Sequence, residues 1–255
     1  MSVTLSARPA PAPPASALEA FRSIGWLAAV APATIHALAR QAIVIRLPRG
    51  TLIFDQSEGP DSAQFLLAGS VELLAVRGEE EVPIDLVRPP DMLVPAALLG
   101  KLPYLVRARV RDEASLLLVP ADALRRAVAG DHDLCLAMLA CQGSQFRRQM
   151  KLAKAARLRS AEERLGSFLL ALVHAHPGEG AIRLPIEKRR IAAQLGMTRE
   201  TLSRTLPALA VHGLRVAGDT LFAEDPDAAR AAYPYDPLID GRDDIMPIER
   251  REALP

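Results

Sequence analysis

The spacing of hydrophobic and polar positions changes several times along this chain. From residue 17 to 42 the apolar residues form two short helical patterns, around "FRSIGWLAAV" and "ATIHALARQA". From Ile43 to Val119 helical spacing gives way to short apolar runs cut by turn residues: "IVIRLPRG", "TLIFDQSEG", "AQFLLAGSVELLAVRGE", "VPIDLVRPPD" and "ASLLLVP". Such runs predict an all-β barrel or jelly roll. Gly50, Gly59, Gly69 and Gly78 fall where its turns are expected. A helical pattern returns from about Asp131 to Leu158. Leu134, Met138, Gln142, Phe146, Met150 and Ala153 recur along it at helical spacings and form a candidate dimerisation seam. "SAEE", Ser160 to Glu163, then predicts a capping box and a new helix over 161–175, with a hinge near Arg159.

The next stretch, "EKRRIAAQLGMTRETLSRTLPALAVHGLRVAGDTLF", holds the most specific pattern. A helix from about Glu187 to Leu195 is stopped by Gly196, and Thr198 is placed to cap a second helix. Ile191, Leu195, Leu202, Leu206 and Leu209 supply one apolar face, while Arg199, Glu200, Ser203 and Arg204 gather on the other. This is helix-turn-helix geometry, in which the second helix offers its first polar turns to the major groove of double-stranded DNA. Arginine bonds bidentately to guanine and glutamate accepts from cytosine. Lys188, Arg189, Thr198 and Thr201 are candidates for phosphate contacts, which fix register and not sequence. Alternation around Gly218–Asp219 predicts a β-hairpin wing. Pro207 removes the amide that would bond the Ser203 carbonyl, so the second helix is expected to kink or shorten after Leu206.

Charge sharpens this picture. The chain's net charge of +1 conceals segments of −2 over residues 1–145, +9 over 146–215 and −6 over 216–255. A basic third in a near-neutral chain suggests a local polyanion-binding surface. The expected divisions are a disordered leader (1–17), a β-barrel domain (18–130), the long helix (131–159), the winged helix-turn-helix (160–225) and an acidic tail (226–255). No run approaches the roughly 18 apolar residues of a membrane span. Cys135 and Cys141 are too few for a disulfide framework or a four-thiolate iron–sulfur site, and suit a reducing cytoplasm. Six apart on a helix, they do not share a face, and read as buried seam thiols or as redox-sensing thiols. A cupin-like metalloenzyme would need clustered histidine and carboxylate ligands on barrel strands. Residues 37–130 contain no histidine or cysteine, so no metal site and no enzyme activity is expected.

"GMTRETLSRTL" resembles the recognition-helix signature of the Crp/Fnr superfamily of bacterial transcription regulators, and "RGTLIFDQSEGPDSAQFLLAGSVELL" resembles its effector-domain barrel. The resemblance spans about residues 20–223. It implies an α+β chain with an N-terminal cyclic-nucleotide-binding-like jelly roll, a long dimerisation helix and a C-terminal winged helix-turn-helix. It further implies a cytoplasmic homodimer on an inverted-repeat promoter site, with RNA polymerase as a partner. By position, Glu200 and Arg204 are the superfamily's base-reading pair, with Arg199 and Ser203 beside them, and a TTGA/TGTGA-like half-site is expected.

In cyclic-AMP-binding relatives a Gly-Glu pair meets the ribose and an Arg-Ser or Arg-Thr pair the phosphate. Val94–Pro95 stand at the first pair in this chain and Leu105–Val106, or Arg107–Ala108 with a different loop length, at the second, so cyclic AMP by that mode is not expected. Haem lacks a ligand set as well, because His36 lies just before the barrel and is read as structural. Met92, Val94, Pro95, Leu105 and Arg107 are the candidate lining of a degenerate effector pocket, with its signal unknown or absent. Two alternatives stand beside this reading: a haem- or small-ligand-sensing regulator, and a sensing module whose helix-turn-helix contacts protein. Arg107, Arg109 and Arg111 alternate on one strand face, either paired with Asp112, Glu113 or the acidic run Glu79–Glu81, or open to an anion or to polymerase. "RPPDMLVPAALLGKLPYLVRARV" with "YDPLID", Tyr235 to Asp240, resembles the FtrB-like branch of the superfamily.

Overall fold

The computed structural model describes Pro14, residues 16–184 and residues 187–241. The expected leader, apart from its last positions, and the end of the acidic tail lie outside the described residues. The chain divides into two compact units, one ending at Ser144 and the other beginning at Gln145.

The first unit starts with α1 (Ala17–Ser23), whose N-cap Ser16 accepts the Glu19 amide, followed by a 3-10 turn (Gly25–Leu27) and α2 (Pro32–Ala39). Strands β1 (Ile43–Leu47), β2 (Leu52–Phe54), β3 (Ser62–Arg77), β4 (Glu80–Val87) and β5 (Asp91–Met92) follow, then α3 (Pro95–Gly100) and β6 (Arg107–Pro120). Two more helices, α4 (Ala121–Gly130) and α5 (His132–Leu158), come after them. All strand pairs are antiparallel in the order β1-β6-β3-β4, with β2 on β6 and β5 on β3.

Strand alternation splits this sheet's two faces between two cores. One face gives Phe65, Met92, Leu117 and Val119 to a core shared with α1, α2, α4 and the first half of α5. The other gives Leu66, Val71, Ala108, Val110 and Leu116 to the barrel interior. Gly69 is not at a turn, as its type suggested. It lies within β3 at φ +82°, where register shifts mark a bulge. A Cβ there would come 2.1 Å from the Glu113 carbonyl oxygen, so β6 crosses at a distance only glycine permits. Gly50 and Gly78 do sit in left-handed turns.

The second unit contains the end of α5 and then α6 (Ala161–Ala175), whose predicted capping box between Ser160 and Glu163 forms in both directions. After β7 (Ala181–Arg183) come α7 (Lys188–Gln194), α8 (Arg199–Val211), β8 (Leu214–Ala217) and β9 (Thr220–Ala223). The three strands form a small sheet in the order β7-β9-β8. Two short helices, α9 (Pro226–Ala232) and α10 (Pro237–Asp240), complete the described chain. The start of the expected acidic tail is therefore folded, and Ala229 and Tyr233 are buried in this unit's core.

Candidate nucleic-acid interface

The turn between α7 and α8 follows from two residues. Gly196 takes φ +62° just after the α7 C-cap Leu195, a conformation glycine accepts without a Cβ clash. Thr198 then caps α8, its Oγ1 accepting the Thr201 amide at 3.1 Å. Such a cap is worth about 0.5–2 kcal/mol to the helix it starts. Leu202 and Leu209 fix the rotation of α8 by sinking into a core with Leu165, Leu169, Ile191 and Leu221. That leaves Arg199, Glu200, Ser203 and Arg204 together on the exposed side.

Neither Arg199 nor Arg204 makes a salt bridge or side-chain hydrogen bond with a described residue. The Glu200 carboxyl is held below its ordinary value by its own amide and the Thr198 hydroxyl, with smaller help from the charges of Arg199 and Arg204. It is an ionised acceptor at a helix N-terminus, where negative charge is favoured. Of the candidate phosphate contacts, Arg189 and Thr198 are exposed, and Lys188 and Thr201 are half-buried.

Of the two effects expected of Pro207, shortening does not occur. α8 runs through it to Val211. Ser203 and Pro207 both lie on the exposed side of the helix, so the amide that Pro207 lacks is not missing from the buried face. Leu209, fully buried beyond the proline, anchors the last turn. The wing forms as expected around Gly218 at φ +59°. Its third strand, β7, was missed because only three residues long; Arg183 on it bonds Asp219 at 2.9 Å.

Two corrections concern α5. Leu134 and Met138 are only 1 % exposed and belong to the first unit's core, so they are closed to a second copy. Cys141 lies in that same core, its thiol 3.6 Å from Asp91 Oδ1, whereas Cys135 is exposed. They are therefore not two buried seam thiols: one is exposed and the other is enclosed in the chain's own core. Phe146 (61 %) and Met150 (52 %) are exposed, as is Ala153, and Gln142 is half-buried. Leu139, Gly143, Phe146, Met150 and Ala153 form the outward stripe, at steps of four and three.

The predicted effector-pocket residues are not brought together. Met92 is buried in the core shared with the helices, and Leu105 is 85 % exposed. Val94, in a left-handed conformation at φ 41°, packs on the barrel core, and Pro95 is buried at the start of α3. Arg107 turns away to the acidic residues described below. The barrel interior is occupied by the chain itself: Tyr104 stacks on Phe54 with ring centroids 3.7 Å apart. Its backbone is tied to the 55–58 loop by Ser57 N–H to Tyr104 O at 2.7 Å and Tyr104 N–H to Glu58 O at 2.9 Å.

The three alternating arginines do share a face, opposite the one that sends Ala108 and Val110 inward. Arg107 bridges Asp55 and Glu81, Arg109 also binds Glu81, and Arg111 lies 3.8 Å from Glu72. Glu81, from the acidic run, was among the expected partners, whereas Asp112 instead accepts from Ser70 at 2.5 Å. Hydrogen bonding from Arg109, working against burial and aided by Arg107, holds the Glu81 carboxyl at about 2. Arg107 lowers Asp55 in the same way. Among the described residues no group of three or more His, Cys, Asp or Glu stands ready to hold a metal ion. No described helix is long and apolar enough to cross a membrane.

Sequence reasoning also missed residues that brace the interface. Arg164 on α6 donates to the Leu195 carbonyl at 2.9 Å and to the Arg159 carbonyl at 2.6 Å. Tyr233 packs so closely on Gly166 that a Cβ there would come 2.5 Å from its ring. The one sequence signal for this contact was a glycine inside an otherwise good helical pattern.

Comparison with known proteins agrees with both units. Residues 44–131 match the cyclic nucleotide-binding domain and residues 163–228 the Crp-like helix-turn-helix domain. A CRP-like cAMP-activated global transcriptional regulator of Mycobacterium tuberculosis is 24% identical over 216 residues, covering 82% of this chain and 96% of that protein. Among solved structures, FixK2 of Bradyrhizobium japonicum has a TM-score of 0.61 at 20% identity, over 76% of this chain and 98% of its own. The c-di-GMP responsive global regulator CLP of Xanthomonas campestris has a TM-score of 0.64 at 18% identity, over 76% and 100%. These structural likenesses establish the fold. With a cyclic nucleotide-binding domain followed in one chain by a Crp-like helix-turn-helix domain, the protein belongs to the Crp/Fnr superfamily of transcription regulators.

Proposed function

We propose that this regulator works as a homodimer that reads an inverted repeat in double-stranded DNA through α8 and needs no cyclic nucleotide in its barrel. The observation that carries the reading is the exposed quartet Arg199, Glu200, Ser203 and Arg204, set opposite the buried Leu202 and Leu209. Glu200 and Arg204 read bases, Arg199 and Ser203 assist, and Lys188, Arg189, Thr198 and Thr201 hold phosphates. The half-site is TTGA/TGTGA-like. The second copy packs along the outward stripe of α5, where Phe146, Met150 and Ala153 stand clear of the chain's own core. All these roles are binding roles, with no enzymatic step. The site of action is the cytoplasm, with RNA polymerase as the further partner at a promoter.

The names of two relatives mention cyclic AMP and c-di-GMP. Against such a ligand in this barrel stand the Phe54–Tyr104 stack, the outward Leu105 and the already paired Arg107. Selection from a random DNA pool with the purified protein tests the reading. Enrichment of a palindrome with half-sites about one helical turn apart, bound without added nucleotide and progressively less as salt rises, is the expected result. Enrichment of unrelated half-sites would overturn the base-reading assignment, and a strict requirement for a cyclic nucleotide would overturn the account of the barrel.

A further inference from the structure

The sequence suggests a hinge at Arg159, between α5 and α6, yet this junction is secured on several sides by the last described residues. Asp240 meets Arg159 in a bidentate pair at 2.6 and 2.8 Å, with both side chains largely shielded. Lys151 donates to the Gly241 carbonyl at 2.8 Å, and Lys154 lies 3.6 Å from Asp236. Asp240 also accepts the Asp236 amide at 2.9 Å, which fixes its carboxylate within α10. Burial alone would raise the Asp240 carboxyl. Arg159, the Asp236 amide and the charge of Lys151 outweigh it and leave the group below its ordinary value.

The same segment reaches the helix-turn-helix. The Tyr233 ring covers Gly166 on α6, and its hydroxyl donates to Glu162 at 2.8 Å. His212, the C-cap of α8, meets that ring edge-on with centroids 5.5 Å apart. Arg164 closes the circuit by bonding both the Arg159 carbonyl and Leu195, the residue before the Gly196 turn. Residues 233–241 thus touch the last turns of α5, the first turns of α6 and the far end of α8.

We infer that residues 233–241 act as a positioning strap, holding the end of α5 and the winged helix at one fixed angle so that α8 is aimed before DNA arrives. This inference builds on the proposed DNA reading. Two recognition helices must meet two half-sites at a set spacing. Freedom at Arg159 would lower the effective concentration of the second helix once the first had bound. Residues 233–241 lie beyond the matched helix-turn-helix domain, which ends at residue 228. Arg159, Arg164 and Asp240 are accordingly positioning residues.

The test uses full-length protein, Asp240→Asn, Arg159→Asp, the reversed pair Arg159→Asp with Asp240→Arg, and a chain ending at Tyr233 that keeps the ring on Gly166. Hydrogen exchange across residues 155–161 and trypsin cleavage after Arg157 report the junction without DNA. Exchange and cleavage should rise about tenfold in the truncated chain and in Asp240→Asn. Affinity for a two-half-site duplex should fall about tenfold while affinity for a single half-site holds. The reversed pair should restore two-half-site affinity relative to Arg159→Asp alone. An unchanged junction in the truncated chain overturns the strap, as does an equal loss on single and double half-sites. Failure of the unaltered protein to bind any DNA would strike the DNA reading instead, and the exchange data would still decide the strap.

Discussion

The arginines of β6 and those of α8 have the same chemistry and opposite circumstances. Arg107, Arg109 and Arg111 each face a carboxylate supplied by the barrel, and the Arg107–Asp55–Glu81–Arg109 cluster is at least two-thirds shielded from solvent. Arg199 and Arg204 are exposed and paired with no described side chain. A basic side chain already satisfied by its own fold has little left to offer a partner, whereas one held out on a rigid helix does. The barrel as a whole follows the first pattern, because its interior is filled by Phe54, Tyr104 and their neighbours.

The largest test of this contrast is Tyr104→Ala. Removing half of the buried stack should cost about 3–5 kcal/mol of stability, read from chemical denaturation. If the barrel is self-filled, small aromatic compounds should recover part of that loss by occupying the space. A loss below about 1 kcal/mol would mean that the ring is not supporting the barrel. Next in size, Arg204→Ala should weaken binding to the selected site by about 1–3 kcal/mol, or about 5- to 150-fold, with the melting temperature unchanged. Arg109→Ala should do the reverse, leaving DNA affinity intact and lowering stability by no more than about 1 kcal/mol, because the attraction within a partly exposed ion pair is largely offset by desolvation and side-chain ordering. DNA affinity measured by anisotropy and melting curves on both variants would expose any exchange of roles.

The smallest effect is that of pH. The folded Glu81 carboxyl sits at about 2 against an ordinary 4.5, so its pairing with Arg109 and Arg107 stabilises the fold fully above 4.5. That contribution declines as pH falls and is lost on passing through about 2. Glu81→Gln should flatten this part of the acid-unfolding profile. An unaltered profile would indicate that the cluster contributes nothing to folding.

The parts of the molecule legible in the sequence are those whose signals are local. Gly196 and Thr198 fix the helix-turn-helix within three residues of chain, and alternation along β6 separates Arg107, Arg109 and Arg111 from Ala108 and Val110. Partnership is less legible. Glu81 and Asp55 come from β4 and the loop after β2, and nothing in the spacing tells an arginine which carboxylate will reach it. On α5 two apolar stripes coexist, and choosing the one that faces another copy requires knowing which is already buried. Leu134 and Met138 were assigned to the wrong stripe for that reason. Pro207 breaks a local rule that the buried Leu209 and the proline's place on the exposed face overcome. The short α9 and α10 hold only two large apolar residues, Leu238 and Ile239, too few to set a helical period, and the acidic residues around them hid a folded segment.

The contact between Gly166 and Tyr233 has a consequence for how this chain could vary over time. The helix position and the tyrosine are locked in size, since any side chain at 166 would collide with the ring. A lineage that lost its C-terminal segment would be released from that restriction, and position 166 could then drift toward alanine or leucine, which favour a helix more. Restoring the segment afterwards would be blocked until the glycine returned. The two features are therefore expected to be inherited together or lost in a fixed order, the ring first and the glycine second.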